Sequence, residues 1–156
     1  MSATTALLIV HGLLAVALLG AITHQTVSVW APARKPAVSF VGRYRAAPGV
    51  SYANAIIVLY VLTFVLGGII YPEFRVEARS VVEQLEQWKP MGAFELKEHF
   101  AAVGLALLPV YWHCWRRPLS EEHARTRAAL TLLIAFIVWW NFLVGHIVNN
   151  IRGFGA

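Results

Sequence analysis

Charge is scarce in this chain. Of its 156 residues only 13% are Asp, Glu, Lys or Arg, while 58% are hydrophobic; an average soluble domain has about 25% charged and about 45–50% apolar residues. Cysteine is scarcer still. The single one, Cys114, rules out an intrachain disulfide and a cysteine cluster, and near a helix end it reads as a small apolar filler. No C-x-x-C-H is present, which removes covalent c-type haem. There is no glycine-rich dinucleotide loop and no room for a soluble catalytic domain beside the apolar blocks. The net charge of +5 does not point to nucleic acid, because the basic residues gather at the ends of apolar blocks and not on one soluble face.

The apolar residues form four blocks, roughly 6–22, 53–71, 100–115 and 128–148. A membrane-spanning helix needs about 17–25 mostly apolar residues, and each block reaches that length with its flanks. The expected fold class is therefore an all-α integral membrane protein, a single domain over residues 1–156. Its spans are expected at about 5–26, 53–71, 95–115 and 126–149, arranged as a four-helix up-and-down bundle. The first block is read as a helix and not as a signal peptide: its start, "MSATT", has no Lys or Arg, and no small-residue cleavage pattern follows. Between the second and third spans, "EFRVEARSVVEQLEQW" places Phe74, Ala78, Val81, Val82, Leu85 and Trp88 at helical spacing. This predicts an amphipathic helix over about 73–88, lying on the membrane surface or over the mouth of the bundle. "GGIIYP" is expected to end the second helix, "KPMG" to break the chain before the third, and Pro109 to kink the third.

Basic residues set the orientation. Arg34, Lys35, Arg43, Arg45, Arg116, Arg117, Arg125 and Arg127 fall on one side; Arg75, Arg79, Lys89, Lys97 and Arg152 fall on the other, mixed with six glutamates. The positive-inside rule puts the first group in the cytoplasm. Both termini are then expected outside, in the periplasm for a bacterial inner membrane. Lys and Arg in the first cytoplasmic loop suit anionic lipid head groups.

Five of the six histidines (His11, His24, His99, His113 and His146) fall within or at the ends of these spans; His123 falls in a polar loop. Ionisable residues inside a membrane usually face the bundle interior and have a task there. Fourteen residues separate His99 from His113, which returns them to nearly the same helix face about 21 Å apart. Thirteen separate His11 from His24, about 140° apart on an ideal helix, so a distortion near Gly20 or at the helix end would be needed to bring both inward. By topology His24 and His113 form an inner tier, and His11, His99 and His146 an outer one. Two tiers of imidazoles fit two stacked haems, each iron held by a histidine pair from facing helices. His24 and His113 would hold the inner haem, and two of His11, His99 and His146 the outer one. Small residues such as Gly12, Ala15, Ala101, Gly104 and Gly145 would leave room for the macrocycle, although they also let membrane helices pack closely.

This layout resembles the general pattern of membrane b-type cytochromes. The resemblance implies haem b, one or two copies, in a subunit that carries electrons across the bilayer between a quinone and a partner subunit of a respiratory or photosynthetic-type redox complex. A rival reading gathers His11, Glu95, His99 and His146 into a non-haem site for Zn, Fe or Cu. A third makes the chain a cofactor-free accessory subunit. Glu95 and Glu98 are either proton acceptors for quinol oxidation or solvated residues at a helix start. Trp30, Trp112 and Trp115 are expected in an interfacial belt, Trp139 and Trp140 in packing. Asn141, Asn149 and Asn150 are expected to bond a histidine, a quinone carbonyl or a neighbouring helix.

Overall fold

In the computed structural model, residues 3–32, 39–46, 48–116 and 121–151 are described. Arg34, Lys35, Arg117 and Arg152 lie outside these residues. The described residues are helical, with no strand among them. The elements are α1 (Ala3–Trp30), the short α2 (Phe40–Ala46), α3 (Gly49–Phe74), a π turn (Arg75–Arg79), α4 (Ser80–Gln84), α5 (Trp88–Arg116), a 3₁₀ turn (Glu121–His123) and α6 (Ala124–Ile151). Four of these are long. α1 packs against α3 and α6, and α5 against α3 and α6, so the four close a ring.

Three helical stretches are long and apolar enough to cross a membrane: Ala3–Trp30, Gly49–Gln84 and Glu121–Ile151. At 28 residues, α1 is about 42 Å long, more than the roughly 30 Å of a bilayer's hydrocarbon core. Its exposed side chains include Ile9, Val10, Leu13 and Val16, and α3 and α6 likewise turn Val58, Leu62, Ile69, Leu133, Phe136 and Ile147 outward. Helices apolar on their outer as well as their inner face suit a lipid surround. α5 is of similar length, 29 residues, but is not among the three.

The proline signals behave differently from expectation. Pro72 lies inside α3 and does not end it, and the helix runs on through the π turn into α4. A π turn takes up an extra residue without breaking the helix, so the second span and the expected surface helix are one continuous element. The chain turns only at Glu86, which adopts φ 56°, before α5 starts at Trp88. "KPMG" therefore lies within α5, with Pro90 in its first turn, where the missing N–H has no intrahelical partner to lose.

Buried side chains form two clusters. One holds Leu18, Ile22, Ile56, Tyr60, Leu108, Tyr111, Trp115, Ile134, Ile137 and their neighbours. The other gathers Phe74, Ala78, Val82, Met91, Phe94, Val144 and Val148 where the π turn and α4 fold over one end of the ring. At the opposite end, α2 lies against α1. There Gln25, fully buried, donates from its amide to the Gly49 carbonyl at 2.8 Å and accepts from the Tyr111 hydroxyl. Trp115, expected in an interfacial belt, is instead 3% exposed and donates its indole N–H to Thr131 at 3.2 Å. A Cβ on Gly49 would come within 2.7 Å of its ring. Trp30 and Trp112 are exposed, and Cys114 is buried.

A candidate ligand cavity between the two cores

The two clusters do not merge. Between them lies a cavity of about 530 Å³ whose walls include Leu18, Tyr60 and Val138 of one cluster and Phe74, Phe94 and Val148 of the other. All four long helices contribute. α1 presents His11, Gly12 and Ala15; α3 presents Thr63, Gly67, Gly68 and Tyr71; α5 presents Lys97, Glu98 and Ala101; α6 presents Asn141, Gly145, His146 and Asn149. Small residues make the space. A Cβ added at Gly12 or Gly68 would touch nothing within 4 Å, whereas one at Gly67 would come within 3.3 Å of the His11 ring.

Two polar atoms on this wall, His11 Nδ1 and Thr63 Oγ1, are buried without a hydrogen bond of good geometry, although the His11 ring leans on the backbone of Thr63. Nearly all buried polar groups are hydrogen-bonded, so each exception calls for an explanation. His146 stands at the cavity's exposed margin, its ring stacked 6.4 Å from Phe142. Lys97 is half-buried; its amine sits 4.5 Å from the centre of the Phe94 ring, and its side chain runs past Gly145. Asn141 lines the cavity and donates back to the Ile137 carbonyl at 2.7 Å. Asn150 bonds the His146 carbonyl at 2.9 Å.

The other histidines lie elsewhere. α1 is unbroken from Ala3 to Trp30, with no distortion at Gly20, so His11 and His24 keep separate surroundings. His24 is 4% exposed and held by aromatic rings: it stacks on Tyr52 at 4.3 Å and meets the edge of Tyr44 at 4.2 Å. Its Nε2 lies 2.6 Å from the Tyr44 carbonyl oxygen. That carbonyl can only accept, so Nε2 carries the proton and Nδ1, buried without a partner, is the free acceptor. His113 is exposed, with its ring 6.4 Å from that of His123. His24 and His113 therefore face different neighbours and do not form a pair.

His99 is also exposed, its Nδ1 2.8 Å from the Glu95 carbonyl. The fourteen-residue spacing does put His99 and His113 on a common face of α5, but it is the outward face. Glu95, exposed as well, pairs with Arg79 at 2.7 Å, and Arg79 also holds Glu83 at 2.7 Å. The set His11, Glu95, His99 and His146 is accordingly not assembled: among the described residues no group of three or more His, Cys, Asp or Glu is placed to hold a metal ion. Lys97 and Thr63 were missed as site residues in the sequence. A lysine at the edge of the span expected at 95–115 passes for a boundary charge, and a threonine among aliphatic residues carries no signal of its own.

Comparison with protein-family models, with characterised proteins and with solved structures finds no match to this chain.

Proposed function

We propose that the chain is a b-type haem subunit of a membrane redox complex: a four-span up-and-down bundle in a bacterial inner membrane, with both termini and the α4 end of the ring facing the periplasm. It binds one haem b in the cavity, between His11 and His146, and passes electrons between a quinone and a partner subunit. His11 of α1 and His146 of α6 would hold the haem, which would supply one-electron chemistry when bound.

The observation that carries this reading is the cavity, with a buried imidazole nitrogen on α1 that makes no hydrogen bond of good geometry and a second histidine on α6. Its volume lies within the roughly 300–1,000 Å³ of small-molecule and cofactor sites. The glycines that line it leave a flat ligand close access to backbone, and Tyr60, Tyr71, Phe74 and Phe94 offer aromatic walls. The residues present therefore fit one such group here. They do not fit a second at the α2 end, where His24 is already engaged by Tyr44 and Tyr52 and His113 faces outward.

A reduced-minus-oxidised spectrum of the purified protein tests the proposal. The expected result is a haem b α-band that is lost or converted to a high-spin form in His11→Ala and His146→Ala, and retained in His99→Ala and His113→Ala. A purified protein without the band sinks the proposal.

A further inference from the structure

Lys97 forms none of the salt bridges seen among the described residues, and the opposite charge it feels is that of Glu98, the next residue. The lysine lines the cavity from α5 and reaches across to Gly145, the neighbour of His146 on α6, with its amine over the Phe94 ring. Arg79, on the outer side of α5, holds Glu83 and Glu95 in salt bridges. Glu98 also borders the cavity and attracts Lys97 through space, but the two do not close an ion pair. Neighbours one apart on a helix do not face each other, so Glu98 is poorly placed to close a direct pair with it. An ammonium in a mostly apolar membrane cavity is costly unless paired, and such residues usually mark the position of a ligand. A cation–π contact offsets only part of that cost.

We infer that Lys97 is the anchor for a carboxylate of the ligand that fills this cavity, binding it by a charge-assisted hydrogen bond while His11 and His146 approach the ligand's centre. The inference rests on the haem reading, in which the carboxylates are those of the porphyrin's propionate side chains. It goes further by giving the ligand a fixed orientation: the acidic edge points towards α5, beneath the π turn and α4, and the hydrophobic edge points towards the Leu18, Tyr60 and Val138 side. The same contact would discriminate against neutral ligands of equal size and shape, because a buried ammonium left facing an ester loses its strongest acceptor.

Haem-stripped protein in detergent, titrated with haemin and separately with haemin dimethyl ester, tests this by absorbance. Wild-type protein is expected to bind haemin roughly 10-fold or more tightly than the diester, the effect of one desolvated charged hydrogen bond. Lys97→Met is expected to bind the two alike, and Lys97→Arg to keep the preference, with helix content checked in each. Equal binding of the two porphyrins by wild-type protein overturns the inference, even if Lys97→Met proves unstable, and leaves the haem reading standing. A preference that survives in a folded Lys97→Met overturns it too. Binding of neither porphyrin ends both readings together.

Discussion

Single residues at the seams carry much of the ring's geometry. A Cβ on Gly104 of α5 would overlap the Tyr60 hydroxyl, which donates to the Ala101 carbonyl at 2.9 Å and ties α3 to α5. Tyr60 is 4% exposed, with little room to retreat. Gly104→Ala is therefore expected to cost about 1–3 kcal/mol, the usual penalty for overpacking, and to lower the thermal midpoint in detergent. Glu86 presents the opposite case. It is exposed and holds a left-handed φ of 56°, a conformation that costs a non-glycine residue about 1–2 kcal/mol. Glu86→Gly removes that strain but gives back part of it as unfolded-chain entropy. The expected net gain is about 0.5–1 kcal/mol, read as a higher midpoint in the same assay; a lower one would contradict it. Neither site was visible in the sequence, because both depend on which atom lies opposite or which φ the turn imposes. The histidines show a related limit. Spacing established that His99 and His113 share a face, but not that the face points outward, since an apolar ring interior and a lipid surround look alike in sequence.

At the level of elements, the cap over the cavity is the part with a choice of forces holding it. The π turn and α4 are fixed to α5 by the Arg79–Glu95 ion pair and by Ala78 and Val82 packed against Met91 and Phe94, while Arg79–Glu83 braces the cap internally. The ion pair involves side chains 21% and 50% exposed and, at such exposure, is worth less than about 1 kcal/mol. Val82 is fully buried; trimming it to alanine removes two carbons and leaves a void, at a cost of about 2 kcal/mol. Packing should therefore dominate. Val82→Ala is expected to raise amide hydrogen exchange across residues 75–84 more than Arg79→Gln does. The reverse order would mean that the salt bridge, and not the apolar face, holds the cap. Of the apolar face expected at Phe74, Ala78, Val81, Val82, Leu85 and Trp88, the structure buries Phe74, Ala78 and Val82, while Leu85 and Trp88 are exposed where the chain turns into α5. The sequence misplaced the element's start because Pro72 reads as a stop. In the fold Pro72 is tolerated within α3, and the π turn that follows lets the helix continue.

For the whole molecule the open physical question is α5. Its ends are polar, with Lys89, Glu95, Lys97, Glu98 and His99 at one and His113 and Arg116 at the other. The apolar stretch from Phe100 to Trp112 covers about 20 Å, short of the roughly 30 Å hydrocarbon core. By composition α5 falls outside the candidate spans, while α1, the α3–α4 stretch and α6 qualify. Yet hydropathy summed along a helix is not what lipid meets. Lys97 and Glu98 border the interior cavity, and Leu108, Tyr111 and Trp115 are buried against neighbouring helices. A helix that turns Lys97 and Glu98 inward, and keeps its exposed Glu95, His99, His113 and Arg116 near its two ends, can cross when its partners cross with it. This predicts four spans, with Glu86 and Glu121 on opposite sides of the membrane. Single cysteines placed at those two positions in a Cys114→Ser background, treated with a membrane-impermeant maleimide on intact spheroplasts, should label at position 86 and not at 121 until the membrane is opened. Labelling of both, or of neither, would put the two ends of α5 on one side. The cavity's α5 wall would then not be a membrane-spanning one, and the bundle reading would fall with it.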